Sequence, residues 1–231
     1  MEEQAINTKK IAAEKAVDFI RPGMTIGLGT GSTAYWATQL VGSRVKEGLD
    51  IRAVATSIGT EKLARELGIT VISFAEVDQL DVTIDGADEV DKDLNLIKGG
   101  GGALVREKIV GAATKMYIIV ADESKFVDTL GRFPLPVEVI MFGWEMTVKK
   151  LKMLGCSPRV RSAGNKAIVT DNGNYVVDCM FEQIHDPAGV HQQINAIPGV
   201  LDNGLFLGMA NMVVLGNNDG TTRILQKNSR Q

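Results

Sequence analysis

Four short segments of this sequence carry chemically useful residue types at useful spacing. The first is Gly27-Leu28-Gly29-Thr30-Gly31-Ser32-Thr33-Ala34, a glycine-rich turn between an apolar strand signal and a helix signal. Glycines let the backbone approach a ligand, and free N–H groups at a helix start attract an anion. Thr30, Ser32 and Thr33 add hydroxyls. From Gly29 the residues also fit the G-x-G-x-x-A dinucleotide fingerprint, which needs an acid at the end of the second strand. That strand ends in Thr56-Ser57, and Asp50 stands at its wrong end, so a site for one phosphate is favoured over NAD. A tight turn with a Ser/Thr cap is the plain alternative.

The second segment, Asp85-Gly86-Ala87-Asp88-Glu89, follows the apolar run Leu80 to Ile84. Its acids would stand at the carboxyl end of a strand, where open α/β sheets bind ligands. A solvated loop or a metal site is the alternative. Asp91, Asp93 and Asn95 have the spacing of the first three ligands of a calcium loop. Leu96 holds its glycine position and Gly102 its final glutamate position, so the calcium reading fails. Asp85 and Asp88 read as functional, and Glu89, Asp91 and Asp93 as loop charges.

The third segment is Lys98 with four glycines, Gly99 to Gly102, ahead of a helix that carries Glu107. Consecutive glycines cost conformational entropy, which close passage of a ligand over the backbone would justify; a flexible link is the alternative. On the helix Glu107 lies between Leu104 and Val110, with Ala103 and Gly111 beside it. Such a flank desolvates the carboxylate and raises its pKa towards that of a useful base. Arg106 and Lys108 read as exposed or paired. In the fourth segment, Ala121-Asp122-Glu123-Ser124-Lys125, Lys125 stands at another strand end within reach of a phosphate, or is a surface lysine.

Alternating strands and helices must position these residues. Residues 8–20 read as a helix, closed by Arg21-Pro22-Gly23. Met24 to Leu28, Ile51 to Ala55, Thr70 to Ile72, Leu80 to Ile84 and Met116 to Val120 read as strands. Ala34 to Val45, Thr60 to Leu67 and Leu104 to Ala113 read as helices. This alternation predicts an α/β fold, a parallel sheet with helices on both faces. After Leu130 the character changes. Phe133-Pro134-Leu135-Pro136 reads as a link, excluded from any central strand by its prolines. Strand 137–141, helix 144–154, a meander through 159–181 turned at Asp171 to Asn174, helix 187–197 and strand 200–206 predict a small split-βαβ unit. Asn211 to Gly216 is an apolar strand able to rejoin the first sheet.

The whole chain has 231 residues, is 45% hydrophobic and 23% charged, and carries a formal net charge of -3. That is ordinary globular composition without the basic excess of a nucleic-acid binder. Cys156 and Cys179 are too few for a disulfide framework and read as reduced thiols of a cytoplasmic protein. His185 and His191 fit no zinc spacing. The acidic start Met1-Glu2-Glu3-Gln4 suggests no signal peptide, and no run is long enough to span a membrane.

Taken in order, Gly29 to Thr33, Thr56-Ser57, Asp85 to Glu89, Lys98 to Gly102 with Val105 to Lys108, Asp122 to Lys125, Leu135 to Val139 and Gly155 to Pro158 resemble ribose-5-phosphate isomerase of type A. The likeness runs over nearly the whole chain. It implies a Rossmann-like domain, here 1–131 and 207–231, and a smaller, ferredoxin-like α+β domain, 132–206. It also implies a homodimer or higher homo-oligomer, a sugar phosphate substrate, no cofactor, no metal, and a place in the pentose phosphate pathway. Carried over by position, Thr30, Gly31, Ser32 and Thr33 fall at the substrate phosphate. Asp85, Gly86, Ala87 and Asp88, and Lys98 with Gly99, Gly100 and Gly101, fall around the sugar. Glu107 falls at the proton acceptor and Lys125 in substrate binding. Lys9 matches a phosphate-contacting lysine, with neighbouring Lys10 as the alternative.

An aldose and its ketose differ by a proton moved between adjacent carbons. One base can take it from carbon 2 and return it to carbon 1 through an enediolate. Glu107 would be that base and Lys98 the cation for the oxyanion. Asp85 and Asp88 would open the furanose ring and move protons between the oxygens. A sugar-phosphate sensor would need neither Glu107 nor Lys98. A CoA-transferase-like enzyme would use a glutamate as nucleophile and need room for CoA.

Overall fold

The apolar runs that read as strands lie side by side in one buried sheet of the computed structural model, which describes residues 7–227. The Met1 to Gln4 segment and the two outermost ends of the expected division lie outside the described residues. The sheet joins β1 (Thr25–Leu28), β2 (Arg52–Ala55), β3 (Thr70–Val71), β4 (Leu80–Gly86), β7 (Thr114–Asp122), β15 (Met212–Gly216) and β16 (Thr222–Gln226) in the order β16-β15-β7-β4-β1-β2-β3. All neighbours are parallel except β15 and β16. Asn211 to Gly216 thus returns to the first sheet, and β16 is an added strand without an apolar signature.

Alternate residues of β7 and β15 enter different cores, as the pleat requires. Ile118, Val120, Met212 and Val214 pack with α1 (Thr8–Val17) and α2 (Ser32–Lys46). Tyr117, Ile119, Val213 and Leu215 pack against a small antiparallel sheet of β5 (Glu89–Val90), β6 (Leu96–Ile97) and β14 (Leu205–Phe206). Helix α1 ends at Val17 rather than residue 20. Helix α3 (Ile58–Glu66) is capped by Ser57, whose hydroxyl accepts from Thr60 N. Helix α4 is Leu104–Ala112.

The second half builds a four-stranded antiparallel sheet, β13-β8-β12-β9, from β8 (Leu135–Val139), β9 (Ser157–Val160), β12 (Tyr175–Met180) and β13 (Val200–Asn203). Helices α5 (Trp144–Lys152) and α6 (Pro187–Asn195) complete the βαββαβ succession, and a short hairpin, β10 (Ser162–Ala163) and β11 (Lys166–Ala167), interrupts its meander. Cys156 and Cys179 are buried, free thiols in this core.

Two expectations are corrected here. Pro136 lies inside a central strand, opposite Asp178 of β12. Within a strand a residue's N and O point to the same side. The Pro136 carbonyl accepts from Gly204 N, just beyond the end of β13, so the missing N–H falls where no ladder bond is owed. The expected strand 200–206 is two strands in two sheets. Gly204 divides them, accepting from Lys98 N while donating to Pro136 O.

Candidate active site

The order of the large sheet reverses at β1, with β2 and β3 on one side and β4, β7 and β15 on the other. Ligands of open α/β sheets enter the crevice outside the carboxyl ends at such a reversal. Strand β1 delivers Gly29 to Thr33 there, and β4 delivers Asp85 to Asp88. A Cβ on Gly29 would stand 2.5 Å from the Cα of Asp85, so only glycine lets these two segments touch. A cavity of about 110 Å³ occupies the crevice.

One side of the cavity is the start of α2. Gly31 caps it without a side-chain bond, leaving the first N–H groups free beside Ser32 and Thr33. Lys9 Nζ donates to Ser32 Oγ at 2.9 Å, while Lys10 turns to Glu14. Lys9, not Lys10, therefore joins Lys125 at the cavity. Thr30 lines it too, but its hydroxyl lies among Thr56 Oγ1, Ser57 Oγ and Thr60 Oγ1 at 2.7–3.1 Å. Its N–H reaches Asp85 Oδ1. The expectation of a Thr30 hydroxyl aimed at the ligand is thereby corrected. Thr56-Ser57, where a nucleotide-binding fold would carry an acid, holds the loop down instead.

The other side is ionic. Gly86, Ala87, Asp88, Lys98 with Gly99 to Gly101, and Glu107 all border the cavity. Lys98, which follows β6, extends its Nζ to within 2.5 Å of Gly86 O, 3.0 Å of Asp85 Oδ2 and 3.4 Å of Glu107 Oε2. Burial opposes the Lys98 charge, yet Asp85 and Glu107 more than offset it and its pKa stands above the ordinary lysine range. Glu107 is 2% exposed on α4. Burial lifts its carboxyl to about 8; Lys98 pulls down, and Asp85 and Asp88 add to the rise.

The two aspartates are placed differently. Asp88 borders the cavity, its Oδ2 accepting from Gly100 N at 2.8 Å. Asp85 is fully buried behind Lys98 and accepts from Thr30 N, Gly86 N and Tyr117 Oη. No local motif marks Tyr117; its signal is a phenol in an aliphatic buried strand, which must find a partner. Glu89 and Asp91 are corrected from loop charges to buried braces. Glu89 accepts from Gly131 N and Phe133 N, and Asp91 from Asp93 N and Asn95 N. Arg106 and Lys108, flanking Glu107, are both paired: Arg106 with Asp171 and Asn172, Lys108 with Asp202 and the Asn203 carbonyl.

A larger groove, about 480 Å³, lies between α1, α2 and the turn at 220–222. Its charged residues include Arg44 and Asp18, which pair with each other at 2.7 Å. Among the described residues no three His, Cys, Asp or Glu side chains are grouped to hold a metal, and no helix is long and apolar enough to cross a membrane.

Known proteins share this arrangement of segments. The sequence pattern of the family described as ribose 5-phosphate isomerase A (phosphoriboisomerase A) matches residues 52–220. Ribose-5-phosphate isomerase A of Bacillus mycoides (strain KBAB4) is 52% identical over 216 residues, 93% of this chain and 98% of the relative. The solved ribose 5-phosphate isomerase from Plasmodium falciparum superposes with a TM-score of 0.92 at 41% identity, covering 95% of this chain and 98% of that one. A D-ribose-5-phosphate isomerase in complex with phospho-erythronic acid gives 0.92 and 41% over 96% of this chain and 100% of its own. Matched along nearly its whole length by relatives of its own size, the chain belongs to the ribose 5-phosphate isomerase A family.

Proposed function

We propose that this protein interconverts D-ribose 5-phosphate and D-ribulose 5-phosphate through an enediolate, without metal or organic cofactor. The observation that carries the reading is the meeting of Glu107 and Lys98 in one cavity with an uncapped helix start. The phosphate would dock on Gly31 to Thr33 with Lys9, and Lys125 would hold the sugar. Glu107, its basicity raised by burial, takes the proton from carbon 2 and returns it to carbon 1. Lys98 meets the oxyanion as charge develops. Asp88, on the cavity wall, opens the ring and moves the hydroxyl proton; Asp85 serves by holding Lys98 in place. The phosphorylated sugar acid bound by the relative described above supports a ligand of this size and charge.

The same reading divides the chain into 1–131 with 207–231 and 132–206, supported by the separate cores of the two larger sheets. It places the enzyme in the cytoplasm, in keeping with its free buried thiols. It makes the protein at least a homodimer, in keeping with exposed Ile140, Phe142 and Met146 beside one another in sequence. Purified protein mixed with ribose 5-phosphate should form the ketose; a substrate unchanged after long incubation would refute the activity. Light scattering at a monomer mass would refute the assembly.

A further inference from the structure

Arg161, just beyond β9, reaches from the four-stranded sheet to the glycine run of the cavity. Its Nη1 donates to Gly99 O at 2.9 Å and to Gly100 O at 3.0 Å. Its Nε and Nη2 are held by the two carboxylate oxygens of Asp178 at 2.9 and 2.5 Å, a bidentate pair that fixes the guanidinium plane. The Gly99 carbonyl and the Gly100 N–H belong to one peptide group, and that N–H donates to Asp88 Oδ2. One peptide therefore stands between the guanidinium and the carboxylate. A cation at the carbonyl end polarises the peptide and strengthens the bond given by its N–H end. The contact is tight: a Cβ on Gly100 would lie 2.5 Å from Asp88 Oδ1.

We propose that Arg161 is a positioning residue for Asp88, acting through the 99–100 peptide and itself oriented by Asp178. This rests on the reading of Asp88 as the group that handles the substrate's hydroxyl protons. The bond it supports bears on chemistry more than on ground-state binding, so its loss falls on kcat.

The test is a double-mutant cycle on ribose 5-phosphate isomerisation with Arg161→Gln, Asp88→Asn and the pair, with melting temperature followed throughout. Loss of the Arg161 bonds to Gly99 O and Gly100 O, which hold and polarise the peptide that in turn holds Asp88, predicts that Arg161→Gln lowers kcat at least about fivefold with KM within about threefold. In the Asp88→Asn background the same change should cost no more than about twofold, because its route is already gone. Asp178→Asn, which keeps the cation but frees it, should give a smaller kcat loss with the same non-additivity; it carries the cycle if Arg161→Gln does not fold. Additive losses, or a loss confined to KM, would overturn the proposal, since displacement of neighbouring Lys98 alone would add to any defect at Asp88. A wild-type rate in Asp88→Asn would remove the reading of Asp88 and this relay together. A slow Asp88→Asn with additive losses would remove the relay alone.

Discussion

The Nζ of Lys98 stands 3.4 Å from Oε2 of Glu107, and that buried oxygen accepts no hydrogen bond from any described residue. The pair is close enough for charge to be felt and too poorly aligned for a proton to be shared. Lys98 thus steadies the Glu107 carboxylate without tying up its lone pairs. Such an arrangement suits a base that must accept a proton from carbon.

Glu107→Gln keeps the shape of the side chain and removes its basicity. The variant should fold, bind substrate, and lose roughly two to four orders of magnitude in kcat, the usual worth of a positioned base. In heavy water the wild type should exchange the transferred proton with solvent, and the variant should not. A Gln variant that isomerises at the wild-type rate would move the base elsewhere.

The raised pKa of Glu107 fixes the sign of the pH dependence. Only the carboxylate is a base, so kcat/KM should rise with pH through about 8 in the free enzyme. Lys98→Met removes the group that pulls this pKa down, so the limb should move to higher pH, with a fall in kcat. Breaking a buried ion pair from one side costs about 3–5 kcal/mol, which a lower melting temperature would report. A pH profile identical in the variant and the wild type would deny the coupling.

Folding should feel the same carboxyl. The folded protein keeps the Glu107 proton up to about 8, whereas a glutamate in the unfolded chain releases it near 4.5. Stability from this group is therefore full below about 4.5 and is lost as pH rises towards 8. Denaturant titrations should show a shallower decline across that window in Glu107→Gln. Parallel declines would mean that Glu107 titrates normally.

The proposed phosphate site can be tested separately. Lys9→Met should raise KM for ribose 5-phosphate about 10- to 100-fold, the worth of one charge-assisted contact, with kcat little changed. On free ribose, which lacks the phosphate and should be a poor substrate, the same change should have no effect. Equal effects on both sugars would place Lys9 away from the phosphate.

Activity should also survive chelation. In the proposed mechanism Lys98 would already supply a cation for the oxyanion, and the described residues group no metal-ligating set. Loss of turnover in EDTA, restored by one added metal ion, would contradict this.

What was legible in the sequence was local. The loop at 29–33, Asp85 with Asp88, Lys98 with its glycines, and Glu107 on an apolar flank announce themselves within a few residues, and the cavity draws on all four segments. The contributions of Tyr117 and Arg161 were not legible, because each acts across a distance that only the folded chain closes. Tyr117 reaches Asp85 from the neighbouring strand, and Arg161 reaches Gly99 from another sheet. Strand pairing misled in the same way. A general rule bars Pro136 from a central strand, and what exempts it is the end of β13, a tertiary fact.

Glu107 is bracketed by Arg106 and Lys108, and both side chains are fastened to the four-stranded sheet's side of the molecule, at Asp171–Asn172 and at Asp202–Asn203. The helix that carries Glu107 is in effect the bolt of the joint between the two larger sheets. A hinge that opened this joint would displace Glu107 with the same stroke, so with Glu107 as the proposed base the joint should be shut during the chemical step. Wear at the joint, whether from a substitution in the 170–174 turn or at Asp202, should then be a fault of timing before it is a fault of durability, lowering turnover before it lowers the melting temperature.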